Sequence, residues 1–443
     1  MPPPQRLQHQ YSILQSPESL QALLRHHTRG QWQDAKFANM SGLLAFVLGG
    51  DGKNSAIDLP AVDVHHIETN PERPARSLKH LLKANHVNYA VLCSQSRSGN
   101  ETAHALASAY LLGATATQLQ DMYEEQVKEL EPWKPSPAEV VDNDWVDFLG
   151  DDRYQRGFLD FFEDKLAMEY AYDWKKVVEH FLFSSERPLV HGLICGFGHP
   201  LTHLGYAYEM DSKEVAMEAL TLASVQHSFL YKYTSDPSCT RQSSKRTSAS
   251  VLELLVQLSD DEALRDLPEA IEPRELESTI SKYEGTVLDY WNAWDISEPV
   301  KDFEKSQQAA VGLFVSSVDP TLHEYSLLFA DLLTTSYAVR VLLSFFPARY
   351  HVSLVKEWWL LVVAVFILKG RPRPKPGTER KDAAGRDWNH VQQKALQSPH
   401  LNDAHYAKAV RVMRDLARTW GDDDDFYLLA AATFVDNFRG WAS

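Results

Sequence analysis

The chain has 443 residues, 44% apolar and 23% charged, enough to bury a large core without disulfide staples and unlike a disordered or collagen-like polymer. Acidic side chains outnumber basic ones 60 to 44, for a formal charge of −16, and such a surface repels nucleic-acid phosphates and anionic lipid heads, so nucleic acid is not an expected partner. The three cysteines, Cys93, Cys195 and Cys239, contain no C-x-x-C, which argues against a disulfide framework or a cysteine zinc site and for a reducing, intracellular (cytoplasmic) setting.

Residues 1–74 read as an irregular N-terminal segment. No secretory apolar region follows Met1-Pro2-Pro3-Pro4; Ser16 to Leu24 carries a short helical signal and Leu43 to Leu48 a strand signal. From Ala75 the pattern turns helical, with Leu78, Leu81 and Leu82 on one face. Residues 75–443 are expected to form a single large, mostly α-helical domain. Asn100 is placed to cap a helix ending near Gly113. Thr115 to Gln118 has the spacing of a capping box, opening a helix that runs to about Leu130 and stops at Pro132, Pro135 and Pro137.

Trp145 to Phe183 reads as two aromatic-rich helices. Pro200 suits a first helical position, which makes His199 the expected N-cap of the next helix. Thr234 to Ser250, with six serines and three threonines, reads as a mobile surface loop. Gly370 to Gly385 reads as a second loop, held extended by Pro372, Pro374 and Pro376. Further helices are expected at Val251–Leu258, Ile280–Ala293, Leu322–Phe346, Val352–Leu368 and Asp403–Trp420. The apolar run from Trp358 to Leu368 falls short of the roughly 20 residues a membrane span needs and reads as a core helix. Nothing alternates strand with helix, so a mostly α fold is the natural expectation.

Several enzyme classes leave no signature. Gly196-Phe197-Gly198 is followed by His-Pro-Leu rather than by a third glycine, and Gly50 to Ser55 opens no helix, so neither is a dinucleotide fingerprint. Walker A, G-x-S-x-G and H-E-x-x-H motifs do not occur. No Rossmann domain is expected, and NADPH, if consumed, would act as a reductant from solution or through an unfamiliar site.

Three segments carry chemistry. His199 and His203 lie one turn apart, a spacing that allows two imidazoles on one metal or, more blandly, one cap and one buried ring. Glu101 and His104 share a helix face, as in half of a di-iron motif, although the pattern occurs once and first-turn glutamates also serve the helix dipole. His405 and Lys408 share another face, the lysine being a ligand only when deprotonated or carbamylated.

These segments resemble the questin oxidase-like family. His199-Pro200-Leu201-Thr202-His203-Leu204-Gly205-Tyr206 is similar to its HPLIHLGY signature. Asn100 to Ala114 resembles its NHxxHxLLxxYxLGA segment, and Asp403 to Val410 its DEHVxKAVR segment. Gly370-Arg371-Pro372 also fits. The likeness runs from about Ala75 to the end of the chain.

The resemblance implies an oxygenase-type, Baeyer–Villiger-like oxidoreductase that opens a ring of an aromatic polyketide, such as an anthraquinone, in fungal secondary metabolism, with dioxygen as co-substrate and Fe(II) on a histidine-rich site. Carried over residue by residue, the ligands would be His104, His199, His203 and His405, with Lys408 a weaker candidate. Two positions depart from the family: Glu101 and Asp331 stand where it has histidines. Carboxylates still suit Fe(II) in mixed sites, or the metal is lost. On the second reading the chain is a metal-free polyketide-binding cyclase, or acid/base enzyme, working through Glu101, Asp331 and His104. Tyr206 joins Glu101 and Asp331 as a catalytic candidate. Tyr208, Trp358 and Trp359 are pocket or core residues. The histidines are expected to converge on one interior, with Asp331 approaching from the helix around Leu327–Leu342.

Overall fold

The computed structural model describes residues 56–93, 99–226, 228–240, 242–268, 270–374, 385–422 and 424–442. The signals at Ser16–Leu24, Leu43–Leu48 and Gly50–Ser55 lie outside the described residues. The chain divides into two units, 1–54 and 55–443, and the second is a mostly helical body. Among its described residues the only strands are Glu324–Ser326 and Gly440–Ala442, paired in parallel with Tyr325 opposite Trp441. Residues 56–72 contain no helix or strand, yet they are stitched to the helices. Ile57 and Ile67 are buried, the Ile57 amide donates to His351 Nδ1 at 3.1 Å, and the His65 amide donates to the Glu209 carbonyl at 2.7 Å.

The helices that build the site are Arg73–Asn88, Thr102–Leu111, His199–Met210, Lys213–Val225, Leu327–Leu342 and Ala404–Trp420. Alternating small residues let them approach closely. Ala103, Ala105, Ala107 and Ala109 are buried along the Thr102 helix, which packs against the Ala404 helix. The His199 helix lies against the Leu327 helix, where a Cβ built on Gly205 would sit 3.2 Å from the Ala338 side chain. Helix–helix burial of this kind, rather than intrinsic propensity, supplies most of the stability of such elements.

Local signals placed most elements, with instructive differences. Thr115 and Gln118 form the reciprocal capping box. Asn100 stands one residue before the N-cap position, and its side-chain oxygen accepts the Thr102 amide at 3.1 Å. His199 is not an N-cap but the first helical residue, because Gly196, Phe197 and Gly198 all adopt left-handed backbone with φ of 53°, 57° and 85°. That reversal delivers His199 already in helical geometry. The 280–293 stretch is split at Tyr283 into Leu276–Lys282 and Glu284–Ala293, and the 322–346 stretch begins as strand before its helix starts at Leu327.

The serine-rich segment contains a short helix at Pro237–Thr240, and Arg246 ties its far end to Asp261 and Asp289. Within the proline-rich segment, residues 375–384 lie outside the described residues. The helical stretch Ala348–Leu368 is, at 21 residues, long and apolar enough to cross a membrane, but 83% of its apolar window is buried inside the protein. Trp358 and Trp359 are spent in this core, their indole N–H groups donating to Thr335 Oγ1 and the Tyr290 carbonyl. Tyr208 is likewise packed between Trp174 and Phe345.

Candidate functional site

Two adjoining clusters form where these helices meet. The inner one is nitrogen-rich. His104 sits on the Thr102 helix, and His199 and His203 lie one turn apart on the next helix inward. All three are buried, and one ring nitrogen from each lies within 4.8 Å of the others. His104 Nε2 is 2.9 Å from His203 Nδ1, while His104 Nδ1 and His199 Nε2 have no hydrogen-bond partner. Tyr206 stacks on His104 with ring centroids 5.1 Å apart and shares a 2.6 Å hydrogen bond with Ser108. Behind it the buried Arg411 lies over the Tyr206 and Tyr337 rings and pairs with Glu209 and Asp415.

The outer cluster is charged. Lys408 Nζ is 2.6 Å from Glu101 Oε2 and 3.7 Å from Asp331 Oδ1. His405 bridges the same two carboxylates, with Nε2 3.3 Å from Glu101 and Nδ1 3.1 Å from Asp331. The Lys408 side chain is 2% exposed, whereas Glu101, Asp331 and His405 each keep 21% of theirs open. This rim is therefore the part of the site nearest to solvent.

The electrostatics separate the two clusters. Burial drives the His199 imidazole down to about 3, with the charges of His203 and Lys408 adding to it against the pull of Glu101. Burial, then His203 and His199, holds His104 well below its ordinary value. Both rings are neutral at physiological pH. In the rim the signs reverse. Burial resists ionisation of Glu101, but His405, Lys408 and His199 override it and bring the carboxyl down to about 2. Burial also opposes the charges of His405 and Lys408, and the facing carboxylates more than offset it, raising both. A lysine held as an ammonium has no lone pair for a cation. Burial pushes the Tyr206 phenol up, so it stays protonated.

The eight residues singled out by sequence, Glu101, His104, His199, His203, Tyr206, Asp331, His405 and Lys408, thus lie together. Asp331 approaches from the Leu327–Leu342 helix. Two glycines make room. A Cβ on Gly99 would fall 1.6 Å from His199 Cε1, and one on Gly198, at φ 85°, would meet Thr335 Cγ2 at 2.5 Å.

Sequence reasoning missed a third layer. His203 Nε2 is 2.7 Å from Glu218 Oε2, and Glu218 Oε1 is 2.9 Å from His86 Nδ1. His86 Nε2 then reaches the half-exposed Glu163 at 2.9 Å. Burial opposes both charges of the inner pair. The hydrogen bonds overcome it, lifting His86 to about 10 and lowering Glu218 to about 2. A usable signal existed: His86 continues the Leu78, Leu82 stripe at i+4, and Glu218 sits in a helix buried on every side. A charged or polar residue on such a face demands a partner. Volume alone does not mark this site. A groove of about 840 Å³ between the Pro299–Ser316 helix and the Trp420–Tyr427 turn shares none of these residues.

A mostly helical body that brings buried imidazoles and an ion-paired rim together from separate helices defines a class: helical proteins with a buried polar centre. Within that class the chain belongs to the questin oxidase-like family, whose sequence profile matches residues 99–413. Both clusters fall inside the match; His86 precedes it.

Among curated proteins, a Baeyer–Villiger oxidase of Pestalotiopsis microspora is 28% identical over 238 residues, 48% of this chain and 51% of that protein. A Baeyer–Villiger oxidase of Paecilomyces divaricatus is 30% identical over 149 residues, 32% of each chain. The questin oxidase of Aspergillus terreus is 25% identical over 217 residues, 46% of this chain and 47% of that protein. The chain thus spans about half or less of the length of the curated relatives it matches.

Proposed function

We propose that this protein is an oxidoreductase that opens a ring of an aromatic polyketide, an anthraquinone-like substrate, by inserting oxygen beside a ring carbonyl. The observation that carries the reading is the inner cluster itself: three buried imidazoles, two of which keep a ring nitrogen without a protein partner, set against an ion-paired rim. Membership of the questin oxidase-like family and likeness to proteins named Baeyer–Villiger oxidases support the reaction class.

Insertion of one oxygen atom from dioxygen needs two electrons and two protons and releases water. A monooxygenase route therefore consumes a reductant such as NADPH, drawn from solution, whereas a dioxygenase route consumes none. The donor set fits Fe(II): two orphaned buried nitrogens, a third imidazole beside them and neighbouring carboxylates make the mixed nitrogen and oxygen environment that this ion accepts. His104, His199 and His203 would hold it. When bound, it would supply activation of dioxygen.

The remaining work falls to the chain. Lys408 presents an N–H donor and, with His405, positive charge to the oxyanion that forms when the ring carbonyl is attacked, at a rim only partly open to water. Glu101 and Asp331 keep those donors charged and aimed. Tyr206 orients His104 by stacking.

A second reading is favoured by one feature, that both nitrogens of His203 already have partners inside the protein. On that reading the chain is a metal-free polyketide-binding cyclase or acid/base enzyme. Metal analysis combined with dioxygen uptake decides between them. The first reading expects about one iron per chain and uptake that depends on both iron and an anthraquinone. Turnover of the polyketide without bound metal or dioxygen would replace it with the second.

A further inference from the structure

We infer that Trp441, on the strand Gly440–Ala442, is a positioning residue. It pins together the starts of the two helices that carry the rim, and so holds His405 and Lys408 in register with Asp331. The inference rests on the reading of that rim as the part of the site that meets the substrate, but not on the reaction assigned to it.

One residue reaches both helices. Toward the Leu327–Leu342 helix the connection is backbone. Trp441 stands opposite Tyr325 in the parallel pair, and the next residues, Ala442 and Ser326, are also paired. Ser326 is the N-cap of that helix, its hydroxyl accepting the Phe329 amide at 3.5 Å. Asp331 follows in the second turn. The Arg439 amide adds a further tie, donating to the His323 carbonyl at 3.2 Å. Toward the Ala404–Trp420 helix the connection is side chain. The Trp441 indole N–H donates to Asp403 Oδ2 at 2.6 Å, while Asp403 Oδ1 accepts the Tyr406 amide at 3.0 Å. One carboxylate thus caps the helix and holds the indole.

The indole also meets the rim directly. Its ring stands edge-on to His405, with centroids 6.0 Å apart and planes at 75°, inside the range that aromatic pairs favour. Phe438, at 4.8 Å between centroids, with Phe314 and Phe434 further off, fixes the indole in turn. The need for a pin follows from the rim geometry. His405 touches Glu101 at 3.3 Å and Asp331 at 3.1 Å, and these residues stand on or beside different helices, so a small slip of one helix start breaks a contact. The two helices pack along their length, but helix ends are where a fold opens most easily, and His405 lies in a first turn. A ladder this short is marginal alone, so the indole anchor decides whether it holds. Trp441 lies beyond residue 413, where the match to the family profile ends.

Two variants of the full chain separate the pin from the fold. Asp403→Ser keeps a hydroxyl to cap the Tyr406 amide but loses the oxygen that holds the indole. Trp441→Leu removes the indole and leaves apolar bulk against Phe438. Crystal structures of both, without substrate, should show His405 out of its bridging place, with its nitrogen moved beyond about 4 Å from Glu101 or Asp331, the limit of an ion pair. Steady-state kinetics with a dihydroxyanthraquinone should show kcat for ring opening lower by about tenfold or more, since misplacing donors by roughly 1 Å acts on the transition state, while KM changes less. A merely structural role would lower the thermal midpoint and leave kcat of the folded protein as it was.

His405 still bridging both carboxylates in either folded variant would overturn the inference. So would an unchanged kcat with His405 displaced. The structural readout needs no substrate, so it stands apart from the reaction. A wild type that opens no ring fails the functional reading, and the pin is then decided by the position of His405 alone.

Discussion

Replacing Lys408 by methionine, similar in length but without charge, removes the shortest contact of Glu101. In the folded chain the Glu101 carboxyl is brought down to about 2, against an ordinary value of 4.5. A shift of that size corresponds to about 3 kcal/mol of stability, shared at pH 7 between His405 and Lys408. Lys408 is also 3.7 Å from Asp331, while His405 keeps its contacts with both carboxylates. The expected loss at pH 7 is about 1–2 kcal/mol, below the 3–5 kcal/mol typical of breaking a fully enclosed pair, because the rim is partly open.

The pH dependence follows from the direction of the shift. A depressed carboxyl stabilises the fold above its unfolded value and loses that contribution as pH falls through the folded one. Wild type should therefore lose this contribution between about pH 4.5 and 2, and Lys408→Met should lose less over the same range because less is present at its start. Urea denaturation of both proteins at pH 7 and at several lower pH values measures each term. A variant as stable as wild type at pH 7, with the same acid slope, would refute the assignment of Lys408 as the charge that holds Glu101.

Gly99→Ala forces a methyl into the His199 ring, and should cost about 1–3 kcal/mol in a core this closely packed, with His199 displaced in a crystal structure; an unperturbed ring would contradict the close approach. His86 carries the opposite pH sign from Glu101. Its folded value of about 10 lies above the ordinary value of 6.5, so its contribution is complete below about 6.5 and is lost as pH rises through 10. Stability measured from pH 6.5 to 10 should fall in wild type and fall less in His86→Gln. Gly198→Ala adds strain at φ 85° and a clash with Thr335, and should lower the thermal midpoint while Gly385→Ala, at φ 78° with open space around it, lowers it less.

The sequence made the helices legible where local chemistry decides them. The Thr115–Gln118 box acts within four residues and is where it was expected, and the helix expected at Asp403–Trp420 opens at Ala404 with Asp403 as its cap. It misled where a preference competed with backbone geometry. Pro200 suggested a cap at His199, but three left-handed residues in a row moved the start of the helix. It was silent on the break at Tyr283, which interrupts an otherwise continuous helical pattern.

At the site, the eight residues stood out because histidine, lysine and carboxylate recur at helical spacing beside a recognisable motif. His86 and Glu218 did not, because a buried ion pair between positions 132 residues apart has no local pattern. Only their placement on apolar faces hinted that each needed a partner.

The proposed function requires that the His104, His199 and His203 centre open a polyketide ring with oxygen taken from dioxygen. The most direct measurement is incubation of the Fe(II)-reconstituted chain with an anthraquinone, NADPH and 18O2, followed by mass spectrometry of the product. One 18O atom at the newly formed acyl–oxygen bond is expected, with product lost in folded His104→Ala and His203→Ala variants. An unopened ring, a product carrying oxygen from water at that bond, or unchanged turnover in the two variants would contradict the claim.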